Sequence, residues 1–258
     1  MEQVKKAKLS IITVNFGSAE KVLNLHKSIA KNPPNLPWEM IIVNNPTKKG
    51  GDGKLLAEKF AGNLEVHVIQ LAKNLGYGEG NNEGVKFAEG EFLAICNPDT
   101  EVLPNTFNKL VEAISREKNI GIAVPVLKTA DGKILENCRK FPSIVSLAKR
   151  RLLKKTPFVK KKIPRKNQTD WAQGSFWVIR KEIYKNFAGF DSRFFLFMED
   201  IDFCRRLKNT GLKTVQIPDA IAIHSPNRLS GGFIGSAIFR KTFWIHLSSA
   251  VKYFWKWR

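Results

Sequence analysis

The run Phe92-Leu93-Ala94-Ile95-Cys96-Asn97-Pro98-Asp99-Thr100 decides the reading of this 258-residue chain. Five apolar residues end abruptly at Asn-Pro-Asp. A short apolar run bounded by turn residues predicts a buried strand. Pro98 has no amide to give a ladder, so the strand is expected to stop at Asn97. Asp99 then arrives at the carboxyl end of a central strand, where open α/β sheets bind ligands. A carboxylate there suits a divalent cation shared with phosphates. Asn-Pro-Asp is equally an ordinary turn, or a cap for a helix starting near Pro104, and this segment alone favours that plainer reading. The rest of the chain shifts the balance.

Upstream, Lys8 to Asn15, Trp38 to Val43 and Leu64 to Leu71 read as strands. Helices are expected from Ser18 to Ala30, with Ser18 as N-cap, and from the Gly/Lys-rich loop at 47–54 to Phe60. Alternation of strand and helix implies parallel pairing through right-handed crossovers. Just before the central strand, Asn74 to Gly84 holds four glycines and three asparagines in eleven residues and opens a helix. Glycines admit a ligand close to the backbone, and helix N-termini favour anions. The spacing is not that of a dinucleotide fingerprint, and the stretch is also compatible with a mobile loop.

Downstream, Ile120 to Leu127 is a strand and Thr129 to Lys133 a hairpin turn with Ile134 to Glu136 returning. From Arg139 to Lys166 there are twelve Lys or Arg and no Asp or Glu, with apolar residues between them. That pattern suits a membrane surface as well as it suits a solvated insert. Trp171 to Ile179 reads as one strand with a small Gly174-Ser175 step, the kind of step at which a ligand or another backbone approaches. An aromatic run, Phe194 to Met198, leads into Glu199-Asp200-Ile201-Asp202 and a helix ending at Gly211. Asp202 and Arg205 are spaced to pair. Lys213 to Ile217 and Ala220 to Ile223 read as two short strands, followed by His224. A last helix from Phe233 to Arg258 sets Lys241, Ser248, Lys252 and Lys256 opposite Phe243, Leu247, Ala250, Phe254 and Trp257. It suits the lipid interface modestly better than docking on the domain.

The formal charge of +20 calls for an anionic partner, and 43% hydrophobic residues are ample for a core. Three cysteines without paired spacing suit a reducing compartment. No stretch reaches about 20 apolar residues, so neither a signal peptide nor a bilayer crossing is expected. We expect a domain over 1–230 with a basic insert at 139–168, then a membrane-associating helix over 231–258, in a protein peripheral on the cytoplasmic face of the cell membrane.

These pieces, in this order, resemble the inverting glycosyltransferases of family 2, most of all the rhamnosyltransferase-like branch that builds bacterial surface polysaccharide. The resemblance rests on Ser10-Ile11-Ile12-Thr13-Val14-Asn15, Asn74-Leu75-Gly76-Tyr77-Gly78 with Asn81-Asn82-Glu83-Gly84, Asn97-Pro98-Asp99, Gly189-Phe190-Asp191 and Met198 to Arg205. It covers about Leu9 to Ser230. It implies the GT-A fold, a Rossmann-like, mostly parallel mixed sheet flanked by helices. It implies that Thr13, Val14, Asn15 and Asn44 line the base and ribose. Asn74, Gly76 and Asn82 would lie beside the nucleotide and donor sugar, next to Asn97. Asp99 would hold Mg²⁺ or Mn²⁺ on the donor diphosphate, with His224 either a further ligand or a structural residue. Asp200 would be the general base, the alternative being a capping Asp200 with Glu199 as base. Gly174, Ser175 and Glu199 would line the acceptor.

Two positions depart from the family pattern. Asn97 stands where many members have the first Asp of Asp-x-Asp, so metal binding leans on the bound diphosphate. Asn44 stands where relatives often have Asp. The expected donor is dTDP-L-rhamnose, then a UDP- or GDP-hexose or galactofuranose. The expected acceptor is polyprenyl-diphosphate-linked or a growing glycan, on an anionic membrane surface. A nucleic-acid binder would also suit the charge, but no nucleic-acid module is recognisable. A nucleotide-sugar-sensing scaffold would leave Asp200 without a task.

Overall fold

The computed structural model describes residues 7–145, 167–225 and 241–258. Most of the expected basic insert, the 230/231 boundary and Phe233 to Arg240 lie outside them. The first half alternates strictly: β1 (Leu9–Asn15), α1 (Ala19–Lys31), β2 (Trp38–Asn44), α2 (Asp52–Lys59), β3 (Val66–Gln70), α3 (Gly76–Phe87) and β4 (Phe92–Cys96). Then come β5 (Thr100–Val102), α4 (Thr106–Arg116), β6 (Ile120–Lys128), β7 (Cys138–Arg139), β8 (Asn167–Thr169), β9 (Trp171–Ala172) and β10 (Phe176–Arg180). The remainder is α5 (Lys181–Asn186), α6 (Glu199–Lys208), β11 (Lys213–His224) and α7 (Lys241–Lys256).

One nine-stranded sheet among the described residues runs β3-β2-β1-β4-β10-β6-β11-β5, with β8 on β11. β3, β2, β1 and β4 are mutually parallel; β10 enters antiparallel between β4 and β6, and β11 runs parallel to β6. The strands are continuous apolar runs because both faces are covered. Leu9, Ile11, Met40, Ile42 and Ala94 pack with helices α1, α2 and α4. Ile12, Val14, Ile41, Val43, Leu93 and Ile95 face the other way, toward α3, α5, α6 and α7. Each of these side chains larger than alanine contributes roughly 1.5–3 kcal/mol on burial. Gly84 lets α3 lie close, since a Cβ there would sit 2.7 Å from Ile12.

The antiparallel entry of β10 brings Gly174 and Ser175, just before its first residue, to the edge where β1, β2 and β4 end: Phe176 pairs with Cys96. β11 ends at that same edge, and its last residues pair with β5, so His224 lies opposite Thr100.

Several boundaries differ from expectation. Trp171 to Ile179 is two strands, because the chain turns at Gln173–Ser175 and β9 pairs with β7 in a separate ribbon. Lys213 to His224 is one strand with a register shift between Ile217 and Ile221. The return arm after the turn at Thr129 to Lys133 is a single bridge, Lys128 to Ile134. Ser18 makes no side-chain cap; its amide donates instead to Asn15 Oδ1 at 3.1 Å. Asp202 pairs with Arg206, one helical turn on, at 2.8 Å, and not with Arg205. No helix of the described residues is long and apolar enough to cross a membrane.

α7 is docked on the domain, with Ser249 and Tyr253 buried and Trp257 Nε1 donating to Asp202 Oδ1 at 2.8 Å. The faces are rotated from those expected. Ala250, Phe254 and Trp257 pack toward the core, while Leu247 points outward.

Candidate active site

The edge at which β1, β2, β4 and β11 end, and before which β10 begins, gathers the expected residues. Thr13 and Asn15 are fully buried at the end of β1. Asn15 Nδ2 donates to Asn44 Oδ1 at 2.7 Å and to Asp52 Oδ2 at 2.9 Å. Asn44 donates onward to Gln70 at 2.8 Å. Beside this network is a recess of about 180 Å³, lined by Asn44, Thr47, Asp52 and the glycines between them. Another shallow recess, at Ala7, Lys8, Glu89 and Glu91, lies where β1 and β4 begin, and holds no expected site residue.

The Asn/Gly stretch is helix from Gly76, and its entry is pinned. Asn74 Oδ1 accepts the Gly76 amide at 2.9 Å. Asn45 accepts from Leu75 N and donates to Gly76 O. Gly76 has φ +84°, and a Cβ there would lie 1.9 Å from the Phe195 carbonyl oxygen, so no other residue fits. The next amide, Tyr77 N, donates to that carbonyl at 3.0 Å. Asn82 does not join the strand ends. Its amide donates to Glu79 and to Phe190 O and accepts from Tyr184 Oη and Phe190 N. It holds the Gly189-Phe190-Asp191 turn.

β4 stops at Cys96, one residue earlier than expected, and Asn97 N donates to Ser175 O at 2.8 Å. Asp99 is not a helix cap; α4 begins after Asn105. Asp99 Oδ1 lies 3.1 Å from His224 Nε2, and Oδ2 lies 3.8 Å from Lys21 Nζ. Carboxylate and imidazole are both donors a divalent cation accepts. Among the described residues no group of three or more His, Cys, Asp or Glu is placed to hold a metal ion by itself. The pair therefore fits Mg²⁺ or Mn²⁺ only where further oxygens come from a ligand such as a diphosphate.

Opposite stands α6. Phe197 and Met198 hold φ of +68° and +71°, and this left-handed pair sets Glu199 and Asp200 at the helix start. Asp200 is half-buried; its Oδ2 accepts Gly174 N at 3.1 Å and its Oδ1 accepts Ile201 N at 2.8 Å. The N-cap position is Met198, so capping is not the task that places Asp200. Tyr77 Oη donates to Gly174 O, closing the ring of loops. Burial raises the Asp200 pKa above the ordinary carboxylate value, opposed by those backbone donors. Glu199 is 4% exposed, and burial with the Asp200 charge beside it pushes its pKa well up. Burial and the same two carboxylates raise Tyr77. Three oxygens buried here, Thr13 Oγ1, Ser175 Oγ and Glu199 Oε2, have no hydrogen-bond partner in the protein. Such groups cost about 1–3 kcal/mol each unless a ligand or water meets them.

Asn45, Asp52, Tyr77 and Lys21 were not anticipated. Tyr77 alone carried a signal, as the one aromatic residue in a Gly/Asn stretch.

A family model described as glycosyl transferase family 2 matches residues 10–187. The chain is 25% identical over 213 residues to N-acetylglucosaminyl-diphospho-decaprenol L-rhamnosyltransferase of Mycobacterium tuberculosis, covering 74% of this chain and 69% of that protein. It is 29% identical over 192 residues to rhamnosyltransferase WbbL of Escherichia coli, covering 69% of each. Among solved structures, GalNAc-T7 with UDP, GalNAc and Mn²⁺ aligns at TM-score 0.65 and 16% identity over 86% of this chain. The chain spans 44% of that structure, and the likeness shows the fold alone.

Proposed function

The chain belongs to glycosyl transferase family 2 and has the GT-A fold, and from that premise we propose that it transfers a sugar, with inversion, from a nucleotide-diphosphate donor to a lipid-linked or polysaccharide acceptor. L-Rhamnose from dTDP-L-rhamnose is the proposed donor, in keeping with the rhamnosyltransferases it resembles. The observation that carries the reading is the gathering of two acidic sites at one strand edge: Asp99 with His224, and Asp200 held by Gly174 N–H.

Inverting transfer needs a base for the acceptor hydroxyl and something to neutralise the leaving diphosphate. Asp200 takes the hydroxyl proton. Its raised pKa makes it a stronger base than an exposed carboxylate, and the two backbone donors fix its direction. Glu199, more deeply buried and with its pKa pushed further up, lines the acceptor with Gly174 and Ser175. Asp99 and His224 would hold Mg²⁺ or Mn²⁺ against the diphosphate, and that cation, when bound, supplies Lewis-acid stabilisation of the leaving group. Lys21, near Asp99, adds positive charge there. Thr13, Val14, Asn15, Asn44 and Asp52 line the base and ribose, and Asn74, Gly76 and Asn97 border the donor sugar. In this proposal the reaction takes place at the inner face of a cell membrane, where a lipid-linked acceptor would lie.

Titration calorimetry with dTDP-L-rhamnose, UDP-sugars and GDP-mannose, each with Mg²⁺, Mn²⁺ or EDTA, tests this reading. One donor is expected to bind with metal and to lose most of its affinity in EDTA. No heat with any donor at millimolar concentration would overturn it.

A further inference from the structure

The inner face of α7 is fully used. Ser249 Oγ donates to Leu196 O at 2.8 Å, Arg205 donates to Tyr253 Oη at 3.1 Å, and Lys256 bridges Asp191 and Asp202 at 2.7 Å each. A helix docked in this way should present a polar outer face. α7 does not. Trp244, Leu247, Val251 and Trp255 are 57%, 45%, 61% and 65% exposed. Their spacing of three, four and four residues makes them one stripe along the helix. They are four of the ten large exposed hydrophobic side chains among the described residues. Scattered singly such side chains mean nothing, but a contiguous stripe marks an interaction surface.

The stripe's surroundings are cationic. Lys241, Ser248 and Lys252 are exposed beside it, and the Arg258 guanidinium lies 4.0 Å from the Trp255 ring. From Pro226 to the end of the chain there are six Lys or Arg and no Asp or Glu. A second copy of the chain would bring the same cations and the same +20 charge, so self-association through this face is opposed. An apolar stripe with Trp toward both ends and basic flanks matches the boundary of an anionic bilayer, where indole rings sit at headgroup depth and lysines meet lipid phosphates.

We propose that the outward face of α7, with Leu247, Val251 and Trp255 at its centre and Trp244 continuing it, seats this protein on an anionic lipid bilayer. The inference deepens the proposed action at a membrane, on which it rests for its purpose, by naming the surface. It also gives that surface a geometry. The same helix touches Leu196 and Asp202, which flank Glu199–Asp200 in the chain, so the carboxylate pair is carried directly on the seat.

The test is co-sedimentation of the full chain with phosphatidylcholine vesicles, with and without phosphatidylglycerol. The fluorescence maximum of tryptophan is followed in parallel. Wild type is expected to bind the phosphatidylglycerol vesicles with a blue shift. Val251→Glu with Trp255→Glu is expected to weaken binding at least about tenfold, since two side chains no longer enter the interface. A milder variant, Leu247→Ser, should weaken it less and keep the melting temperature of wild type. Equal binding by wild type and both variants would overturn the proposal and assign the attraction to the basic segment 139–166. No binding by wild type, or a wild-type dimer made monomeric by the variants, would overturn it too. Donor titration of the same variants without vesicles separates this outcome from failure of the transferase reading, because it reads the nucleotide site alone.

Discussion

Glu199 and Asp200 are adjacent carboxylates that meet solvent differently, and that difference divides their work. Asp200 is half-buried with two backbone donors, whereas Glu199 is almost wholly enclosed with one oxygen unpartnered. Asp200→Asn should keep the shape and the donor affinity but lower turnover by about 10²-fold or more, read as kcat in a transfer assay. An unchanged kcat would remove Asp200 from the base role. Glu199 makes a separate prediction about stability. Its pKa is raised in the fold, so the protein is favoured while Glu199 is protonated and loses that advantage as pH rises through the raised value. Wild type should therefore melt progressively lower as pH rises from the ordinary carboxylate value toward the raised one, and Glu199→Gln should flatten that slope. Parallel slopes in scanning fluorimetry would refute it. Gly76→Ala meets backbone, not a yielding side chain, at a positive φ, and should cost on the order of 2 kcal/mol or more in denaturant unfolding. Asp99, Asp200 and His224 were legible because each sits where a strand ends or a helix starts, and the chain punctuates those places with Pro, aromatic or turn residues. Asp52 and Lys21 were not. Their contacts with Asn15 and Asp99 depend on which loops the sheet order brings together, and no local pattern records that order.

At the scale of elements, apolar runs such as Leu9–Val14 and Phe92–Cys96 announced buried strands because both sheet faces are covered. What they could not announce was the antiparallel insertion of β10, since a run buried on both faces reads the same in either direction. α7 misled for a related reason. Both of its faces are apolar, so periodicity alone could not say which one docks. Its docking is electrostatic as well as apolar. Asp202 is fully buried and meets Arg206, Lys256 and Trp257. Burial works against the Asp191 anion, yet hydrogen bonds from Arg193 and Lys256 hold its pKa well below the ordinary carboxylate range. A lowered pKa contributes stability above the unfolded value and loses it as pH falls through the folded one. Lys256→Met should destabilise the protein by about 1.5–3 kcal/mol at neutral pH, the worth of hydrogen bonds to charged groups. The deficit relative to wild type should shrink in strong acid. Because α7 touches the segment that carries Asp200, the same variant should lower kcat more than it weakens donor binding. The reverse split would mean that α7 supports the nucleotide side instead.

For the molecule as a whole, the arrangement has a thermodynamic consequence. The proposed site draws on Thr13, Asn44, Gly76, Asp99, Gly174, Asp200 and His224, so it spans most of the described chain and exists only when β1, β2, β4, β10 and β11 are in register. A donor held there cannot stabilise one part alone. Ligand that binds only the folded state adds stability by mass action, about 2.7 kcal/mol at a hundred times the dissociation constant. For a chain of this size that is a rise on the order of 5–10 °C in melting temperature. The prediction is one unfolding transition that moves as a unit with donor and metal, followed by both tryptophan fluorescence and far-ultraviolet dichroism. α7 and the turn that follows it carry Trp244, Trp255 and Trp257, half of the six tryptophans, so fluorescence reports the undocking of this segment while dichroism weights the whole sheet and its helices. If donor shifts the dichroism transition and leaves an earlier fluorescence transition in place, α7 is a separately melting element. The contacts from Lys256 and Trp257 to Asp202 would then be too weak to make the helix part of the cooperative unit. Coincident movement of both signals would mean that the helix carrying the outward apolar stripe and the helix carrying Asp200 fold as one body, as the burial of Asp202 between them requires.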